Sequence, residues 1–410
     1  MIEWSEQHLM IRDAIRKFVE TEIKPRREEL EFGDTPPYDI LRTMMRTFGM
    51  DEVARQRFEK QIAKEKARAA GHATADAPER REGSDGAAMA LIPIIELCRY
   101  CPGMVTAMGV SVGLTAAAIM SKGTIAQKER WALPLLTLET IGAWAITEPG
   151  SGSDAFGGMK ATARRDGDTY VLNGNKTFIT NGPYADTIVF ICKLDEGAAD
   201  AKQRKILSFI VDRGTPGLVQ SKPLRKMGMH SSPTGELFFE DVRVAKDRLI
   251  GETEDAPGRS GAKDTFSMER SGVAAMALGI VEQCLTLCTD YARTRIAFGR
   301  PIGEFQLIQL KLAKMEVARM NIQNIVFRQI EMAQQGQPLR LAEASAVKLY
   351  SAQACMDVCL EAVQLFGGNG YMAEYQVEQL CRDAKVLQIY GGTDEIQTSQ
   401  IARSLLAATS

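Results

Sequence analysis

Between Trp144 and Ser153 the chain reads Trp-Ala-Ile-Thr-Glu-Pro-Gly-Ser-Gly-Ser. The β-branched pair Ile146 and Thr147 ahead of Pro149, Gly150 and Gly152 predicts a strand running into a loop with open backbone N–H groups. Such a loop can cradle an anion or a polar ring. Taken literally, Gly150-x-Gly152-x-x-Ala155 fits the dinucleotide fingerprint, but that fingerprint has meaning only where a helix leads out. Here Gly157 and Gly158 follow, then an alternating run through Thr169 to Leu172, Asn173-Gly174 as a hairpin turn, and Lys176 to Thr180. This context favours a β-sheet loop that receives a cofactor over a Rossmann site.

Metal chemistry has little support. Cys98-x-x-Cys101 has no second pair at zinc spacing, and the three histidines, His8, His72 and His230, lie far apart. Cys284/Cys288 and Cys355/Cys359 are each four apart in helical patterns, which predicts small buried fillers on one helix face. One further acid, Glu269, stands in Phe266-Ser267-Met268-Glu269-Arg270. Taken alone, it reads as an acid in the first turn of a helix, favoured by the dipole or paired with a nearby Arg, rather than as a catalytic group.

The elements that must hold these residues follow from length and periodicity. At 410 residues the chain exceeds the size at which one core stops growing, so two or three packed regions are expected. Fifty basic against 52 acidic side chains leave a net charge of −2, which argues against nucleic acid as a general partner. The acidic start, Met1 to Glu6, lacks an apolar signal core, and no apolar run near ~18 residues is evident. A cytoplasmic protein with free thiols and no membrane span is the expectation.

Leu9, Ile11, Ile15, Phe18, Val19 and Ile23 predict an amphipathic helix closing near Pro25, with Pro36-Pro37 as a break. Residues 51 to 86 read as a solvated basic helix and a polar linker over Gly71 to Gly86. Leu91 to Leu97 and Met104 to Met120 read as buried helices rich in small residues. From 142 to about 250 the β signal dominates, with segments too close for parallel crossovers, so a mainly antiparallel sheet, a small barrel, is expected. Beyond it, Ile308, Leu312, Met315, Ile322 and Val326 step along one helix face, and 342 to 366 does likewise, predicting a bundle.

Thr147-Glu148-Pro149-Gly150-Ser151-Gly152-Ser153-Asp154, with Asn173-Gly174-x-Lys176-x-Phe178-Ile179-Thr180-Asn181-Gly182, resembles the central domain of the acyl-CoA dehydrogenases. The resemblance continues at Lys226 to Met229, Phe239 to Val242, Arg295-x-x-Phe298-Gly299-x-Pro301-Ile302 with Gln306, Phe366 to Tyr371, and Arg382 to Lys385 through Thr393. It implies an α+β, mainly α fold: an N-terminal helical domain (1–141), a central antiparallel β-barrel domain (142–251) and a C-terminal four-helix bundle (252–410). It also implies bound FAD, an acyl-CoA substrate, an electron-transferring flavoprotein as acceptor, and a homotetramer. A Tyr-Gly-Gly segment that many members carry near residues 51 to 86 is absent from that stretch of this sequence.

The reaction implied removes a proton next to the thioester and a hydride from the following carbon. The α-proton is a weak acid, so a carboxylate in a dry pocket and donors to the thioester oxygen are needed. Many members carry that base in a Tyr-Glu-Gly-Thr segment. Here the run is Tyr390-Gly391-Gly392-Thr393, and Gly391 has no acid. A smaller branch, resembling isovaleryl- and long-chain acyl-CoA dehydrogenases, carries it in a helical Glu-Arg pair, which points to Glu269 with Arg270. By the same resemblance the Gly391 N–H helps hold the thioester carbonyl, and the missing side chain leaves room for a branched or bulky acyl group.

Other roles carry over by position. Ile146, Thr147, Gly152 and Ser153 match flavin contacts, Ser153 also lying near substrate, and Phe178 with Thr180 matches a Trp-Ile-Thr run that covers the ring. Arg295, Phe298 and Gln306 match the diphosphate and adenine side, an arginine fork suiting two phosphate oxygens. Gln364 and Gly368 match contacts from a neighbouring subunit, and Thr393 and Glu395 further FAD contacts. Ser267, Arg270 and Arg403 match positions near CoA, with Tyr390, Gly391 and Gly392 lining the substrate. Two alternatives share the fold: a flavin oxidase reacting with oxygen, and a catalytically silent acyl-CoA-binding or regulatory relative.

Overall fold

The computed structural model describes residues 3–71, 86–197, 204–255, 258–337 and 339–407, with the side chains of 258–269 and 271 left aside. Ser5 caps α1 (Glu6–Phe18): its hydroxyl accepts the His8 N–H at 3.2 Å. The helix was expected to close near Pro25, but the chain stays helical past it. A π-helical turn (Val19–Ile23) and a 3-10 turn (Lys24–Arg26) lead into α2 (Arg27–Phe32), with Pro25 at the start of the 3-10 turn, where a missing N–H costs little.

After Pro36-Pro37 come α3 (Tyr38–Thr47), α4 (Met50–Ala69), α5 (Gly86–Cys98) and α6 (Pro102–Gly109). A π-helical segment (Val110–Ala116) joins α6 to α7 (Ala117–Lys122), followed by α8 (Ile125–Gln127) and α9 (Leu133–Leu136). As expected, α4 is largely solvated, and the ion pairs Arg55–Glu139, Lys66–Glu129 and Lys128–Glu65 tie it down. Most of the expected linker, 72 to 85, lies outside the described residues.

One sequence expectation needs correction here. Pro102–Lys122 and Gly272–Thr294 are long and apolar enough to cross a membrane by length and composition. Their apolar windows are 50% and 67% buried inside the molecule, which is how core helices of this composition satisfy themselves.

Seven strands form one curled sheet: β1 (Gly142–Ala145), β2 (Thr162–Asp166), β3 (Thr169–Thr180), β4 (Thr187–Leu194), β5 (Ile206–Asp212), β6 (Leu218–Gln220) and β7 (Thr234–Ala245). The order is β1-β4-β2-β3-β7-β6, with β5 on the other edge of β4. Four pairings are antiparallel, but β1 and β2 both run parallel to β4. No helical crossover is needed, because the β2–β3 hairpin itself carries the chain from β1 back to the start of β4. Among the described residues no ladder joins β5 to β6, so the barrel is not closed by backbone pairing.

All eight residues of β4 are buried. Ile188, Phe190 and Cys192 face the sheet's own core with Phe209 and Phe239, while Val189 and Ile191 pack on Trp131 and Leu135 of the N-terminal helices. That two-sided burial explains a continuous apolar run rather than an alternating one. Asn173-Gly174 is not the hairpin turn the sequence predicted: both residues lie inside β3. The turn falls instead at Gly167 (φ 61), and Gly174 marks a register shift where a Cβ would stand 2.6 Å from that of Ala161.

The chain then becomes helical: α10 (Gly258–Thr294), a short hairpin of β8 (Ile296–Ala297) and β9 (Arg300–Pro301), then α11 (Gln306–Gln334), α12 (Leu341–Phe366), α13 (Gln376–Lys385) and α14 (Asp394–Ala407). One apolar core joins α10, α11, α12 and α13 to α1, α3 and α5. The cysteine pairs serve as its small fillers, with Cys284 and Cys359 Sγ atoms 3.8 Å apart where α10 meets α12. The Lys226–Met229 and Arg382–Asp383 motifs meet where the three regions join. A Cβ on Gly228 would stand 2.6 Å from the Arg382 carbonyl carbon, and Arg382 also reaches the Glu31 carboxylate at 2.8 Å.

Candidate functional site

The Ile146–Ser153 loop leaves the end of β1 and is shaped by a buried ion pair. Lys176, fully buried on β3, donates to Glu148 Oε1 at 2.9 Å and to the Ile146 carbonyl at 3.0 Å. The same carboxylate accepts the N–H groups of Lys160 at 2.7 Å and Ala161 at 2.9 Å, cinching the loop at its base. Burial lowers the Lys176 pKa, and the Glu148 charge works against that shift. Glu148 and Ser151 exchange backbone hydrogen bonds, leaving Gly150 and Gly152 at a tip where an added Cβ would meet nothing within 4 Å.

Beside this loop β3 bulges. Thr177 N–H donates to the Thr147 carbonyl at 2.9 Å, and the register shifts between Lys176 and Ile179. Phe178 sits at the bulge with φ 57 and is 69% exposed, an aromatic face the chain itself does not cover. Asn181 (φ 63) fixes the far side. Its amide donates to the carbonyls of Ala107 and Gly142, both at 2.9 Å, and accepts the Tyr38 hydroxyl at 3.0 Å. The Thr177–Thr147 hydrogen bond thus joins the loop that carries Ile146, Thr147, Gly152 and Ser153 to the strand that carries Phe178 and Thr180, and the π segment after α6 packs on β1, where Ser111 Oγ accepts the Gly142 N–H at 2.9 Å.

A second group forms on the helical bundle. Gly391 (φ 62) and Gly392 (φ 93) make a left-handed turn between Tyr390 and α14. The Tyr390 hydroxyl donates to Met276 Sδ on α10 at 3.2 Å. Arg270 is buried: its guanidinium donates to the Gly391 carbonyl at 3.3 Å and to Ser345 Oγ at 3.2 Å. At the start of α14, Asp394 accepts from Lys348 at 3.2 Å, while hydrogen bonds from its own N–H and from Thr393 hold the Glu395 carboxyl below its usual range. Arg403 is exposed further along that helix. Glu269 and Ser267 fall among the residues whose side chains lie outside the described set. The backbone places residue 269 well inside α10, which begins at Gly258, so the first-turn explanation of that acid does not apply.

The third group lines an open cleft of about 330 Å³ walled by Tyr291, Arg295, Ile302, Phe366, Gly368 and Asn369. Tyr291 stacks on Phe366 with centroids 4.1 Å apart, and Asn369 donates to its hydroxyl at 3.0 Å. Phe298 projects from the adjoining hairpin tip, 95% exposed. Gln306 and Gln364 are exposed nearby in sequence. The resemblance gives Arg295 and Gly368 separate contributions, the latter from a neighbour. They line the same cleft of one chain, so a subunit that supplies Gly368 brings Arg295 with it.

Sequence reasoning missed Lys176, Asn181 and Gln397. Lys176 left a signal, a lone cation amid strand residues that fold into a core. Asn181 and Gln397 left none, because each acts on backbone carbonyls distant in sequence. Gln397, buried one turn into α14, donates to the carbonyls of Gly391 at 2.9 Å and Gly392 at 2.8 Å. Among the described residues, no group of three or more His, Cys, Asp or Glu could hold a metal ion.

Comparison with known proteins agrees with this layout. The chain matches the acyl-CoA dehydrogenase N-terminal domain over residues 35–139, the middle domain over 143–242 and the C-terminal domain over 257–406. It is 39% identical over 316 residues to a short-chain specific acyl-CoA dehydrogenase of Megasphaera elsdenii, covering 77% of this chain and 81% of the relative. A 3-(aryl)acrylate reductase of Clostridium sporogenes is 35% identical over 98% of this chain and 99% of its own. The solved butyryl-CoA dehydrogenase of Megasphaera elsdenii superposes with TM-score 0.81 at 32% identity, covering 99% of this chain and all of the other.

Proposed function

This chain belongs to the acyl-CoA dehydrogenase family, and from that premise we propose that it oxidises an acyl-CoA thioester to the trans-2-enoyl-CoA with Glu269 as the base. FAD, when bound, supplies the acceptor for the β-hydride. The fit of this chain to that group rests on three features. Phe178 offers an uncovered aromatic face beside Thr147. Gly150 and Gly152 leave open space at the loop tip, where Gly152 and Ser153 are proposed ring contacts with Ile146 and Thr180. Arg295 has no carboxylate partner among the described residues, so its fork is available to a diphosphate.

Residue 391 carries no carboxylate, and the position of residue 269 is the observation that carries the base assignment. Residue 269 precedes Met276 by seven positions, two helical turns, so both lie on one face of α10. Met276 accepts the Tyr390 hydroxyl, which puts that face beside the Tyr390–Gly392 turn. Glu269 takes the α-proton while the Gly391 N–H holds the thioester oxygen against the developing negative charge. Arg270 supports the turn, and Ser267 and Arg403 are proposed to meet the CoA moiety. Thr393, Glu395, Phe298, Gln306, Gln364 and Gly368 complete the proposed cofactor contacts.

The proposed domains, 1–141, 142–251 and 252–410, divide the work into acyl wall, flavin rim and bundle. An electron-transferring flavoprotein is the proposed electron acceptor. A second copy of the chain is the proposed cover for Phe298, Leu307, Leu310, Val317 and Met320, all exposed on the hairpin and α11. A monomer by sedimentation would remove that reading. The eight free thiols fit a reducing cytoplasm. The relatives' names suggest short-chain and aryl acyl groups for testing.

The test is anaerobic mixing of the flavin-loaded protein with butyryl-, isovaleryl- and 3-phenylpropionyl-CoA, followed by the oxidised-flavin absorbance. Wild type should bleach with at least one ester, and Glu269→Gln about 100-fold or more slowly. Equal bleaching by the variant would remove Glu269 as base. Rapid reoxidation by air without a protein acceptor would favour the oxidase, and a loaded flavin that no ester reduces would favour the silent relative.

A further inference from the structure

We infer that Gln397 is a positioning residue of the reaction centre, fixing the Gly391–Gly392 turn from behind so that the Gly391 N–H keeps its aim at the thioester oxygen. The inference rests on the proposed reading in which that N–H holds the carbonyl. Two consecutive glycines with positive φ, 62 and 93, are the least restrained backbone a chain can present. No side chain on residue 391 or 392 can dock to hold such a turn. Its restraint has to come from groups around it.

Those groups are present on both sides. Before the turn, the Tyr390 N–H donates to the Val386 carbonyl at 3.0 Å and its hydroxyl to Met276 at 3.2 Å, fixing the peptide that leads into Gly391. After it, the one amide nitrogen of Gln397 donates to two successive carbonyls, Gly391 at 2.9 Å and Gly392 at 2.8 Å. Arg270 adds a second donor to the Gly391 carbonyl at 3.3 Å and is braced by Ser345, whose hydroxyl donates to the Leu341 carbonyl at 2.8 Å. The Gly391 N–H lies between two clamped peptide planes.

Gln397 is fully buried, and among the described residues its Oε1 has no hydrogen-bond partner. An unpaired buried acceptor costs stability, and a leucine of similar size would avoid that cost. A Cβ on Gly392 would stand 2.7 Å from the Gln397 amide nitrogen, so the close contact also requires glycine at 392. An amide half satisfied among the described residues, against a Gly392 that leaves no room for a side chain, marks a group placed for where it holds the backbone. A donor that stabilises developing charge works only if it is already aimed when the charge appears.

The experiment uses the oxidised, flavin-loaded protein with crotonyl-CoA carrying ¹³C at the thioester carbonyl, a probe with no α-proton on a saturated carbon to lose. Infrared difference spectra read the carbonyl stretch. Wild type should shift it to lower frequency relative to free crotonyl-CoA. In Gln397→Leu that shift should fall by at least about half, and turnover with butyryl-CoA should drop on the order of 100-fold while crotonyl-CoA affinity changes by less than about threefold. Gln397→Glu, equal in length but an acceptor, is read in the same way and should lose the shift too. A full downshift in either flavin-loaded variant overturns the inference. Absence of the downshift in wild type would instead remove the Gly391 donor reading on which it stands.

Discussion

Replacing Lys176 with methionine should loosen the flavin rim more than replacing Lys176 and Glu148 together. The ammonium is fully buried and bridges Ile146 to Glu148, whose side chain is only 6% exposed. In Lys176→Met the carboxylate keeps the Lys160 and Ala161 N–H groups but loses its countercharge. Stranding one member of a buried pair costs about 3–5 kcal/mol. In Lys176→Met/Glu148→Gln no charge is left, but the Ile146 carbonyl loses a donor and the new amide, with one oxygen, accepts only one of the Lys160 and Ala161 N–H groups, together about 2–4 kcal/mol. The double variant should therefore be more stable than the single one by about 1 kcal/mol. If all 410 residues melt together, the unfolding entropy is about 0.9 kcal/mol/K, so the single variant's midpoint falls by about 4–6 °C. A β region melting alone would fall several times further. Scanning calorimetry gives the midpoints, and flavin absorbance after gel filtration gives cofactor retention, which should drop most in the single variant. A single variant at least as stable as the double one, with full flavin, would refute the argument that this pair shapes the loop.

Two further perturbations probe the join of the three regions. Both ring nitrogens of His230 meet acceptors at 2.8 Å, the carbonyls of Glu31 and Lys226, and Nδ1 lies 3.1 Å from the Glu31 carboxylate. The Glu31 hydrogen bond pushes its pKa from 6.5 to about 9, so the stability it contributes is complete below 6.5 and lost as pH rises through 9. Thermal midpoints should decline across that window in wild type and flatten in His230→Gln. Asp383, raised to about 7 by burial, loses its part lower, and Lys226, lowered to about 8 by burial, acts in the opposite sense above 8. Gly228→Ala places a Cβ 2.6–2.8 Å from backbone atoms of Arg382 and Asp383, which cannot give way as a side-chain end would. A cost of about 1–3 kcal/mol is expected, and an unchanged melting midpoint would show that the loop and α13 separate freely.

The order helices, strands, helices was legible because apolar periodicity is a local property that burial then rewards. The Ile146–Ser153 loop was legible for a similar reason: β-branched residues before Pro and Gly describe a strand that ends and a backbone left open. What reads poorly in sequence is whatever depends on pairing at a distance. The parallel ladders of β1 and β2 on β4 look, residue by residue, like antiparallel ones. Asn173-Gly174 carries the composition of a turn, yet the approach of Ala161 makes it a bulge within a strand. Pro25 interrupts a helix on paper, but the π and 3-10 turns around it absorb the lost hydrogen bond.

The same division runs through the site. The family resemblance pointed to a glycine where an acid was expected at 391, and to an alternative acid in the Glu269-Arg270 pair. Only the fold showed Arg270 bonded to the Gly391 carbonyl, 121 positions away in sequence, with Gln397 clamping the same turn. Chemistry belongs to side chains and can be read one residue at a time, whereas aim belongs to the backbone and is set by whichever distant groups hold it. In this chain the sequence names the groups that can react, and the tertiary structure decides where they point.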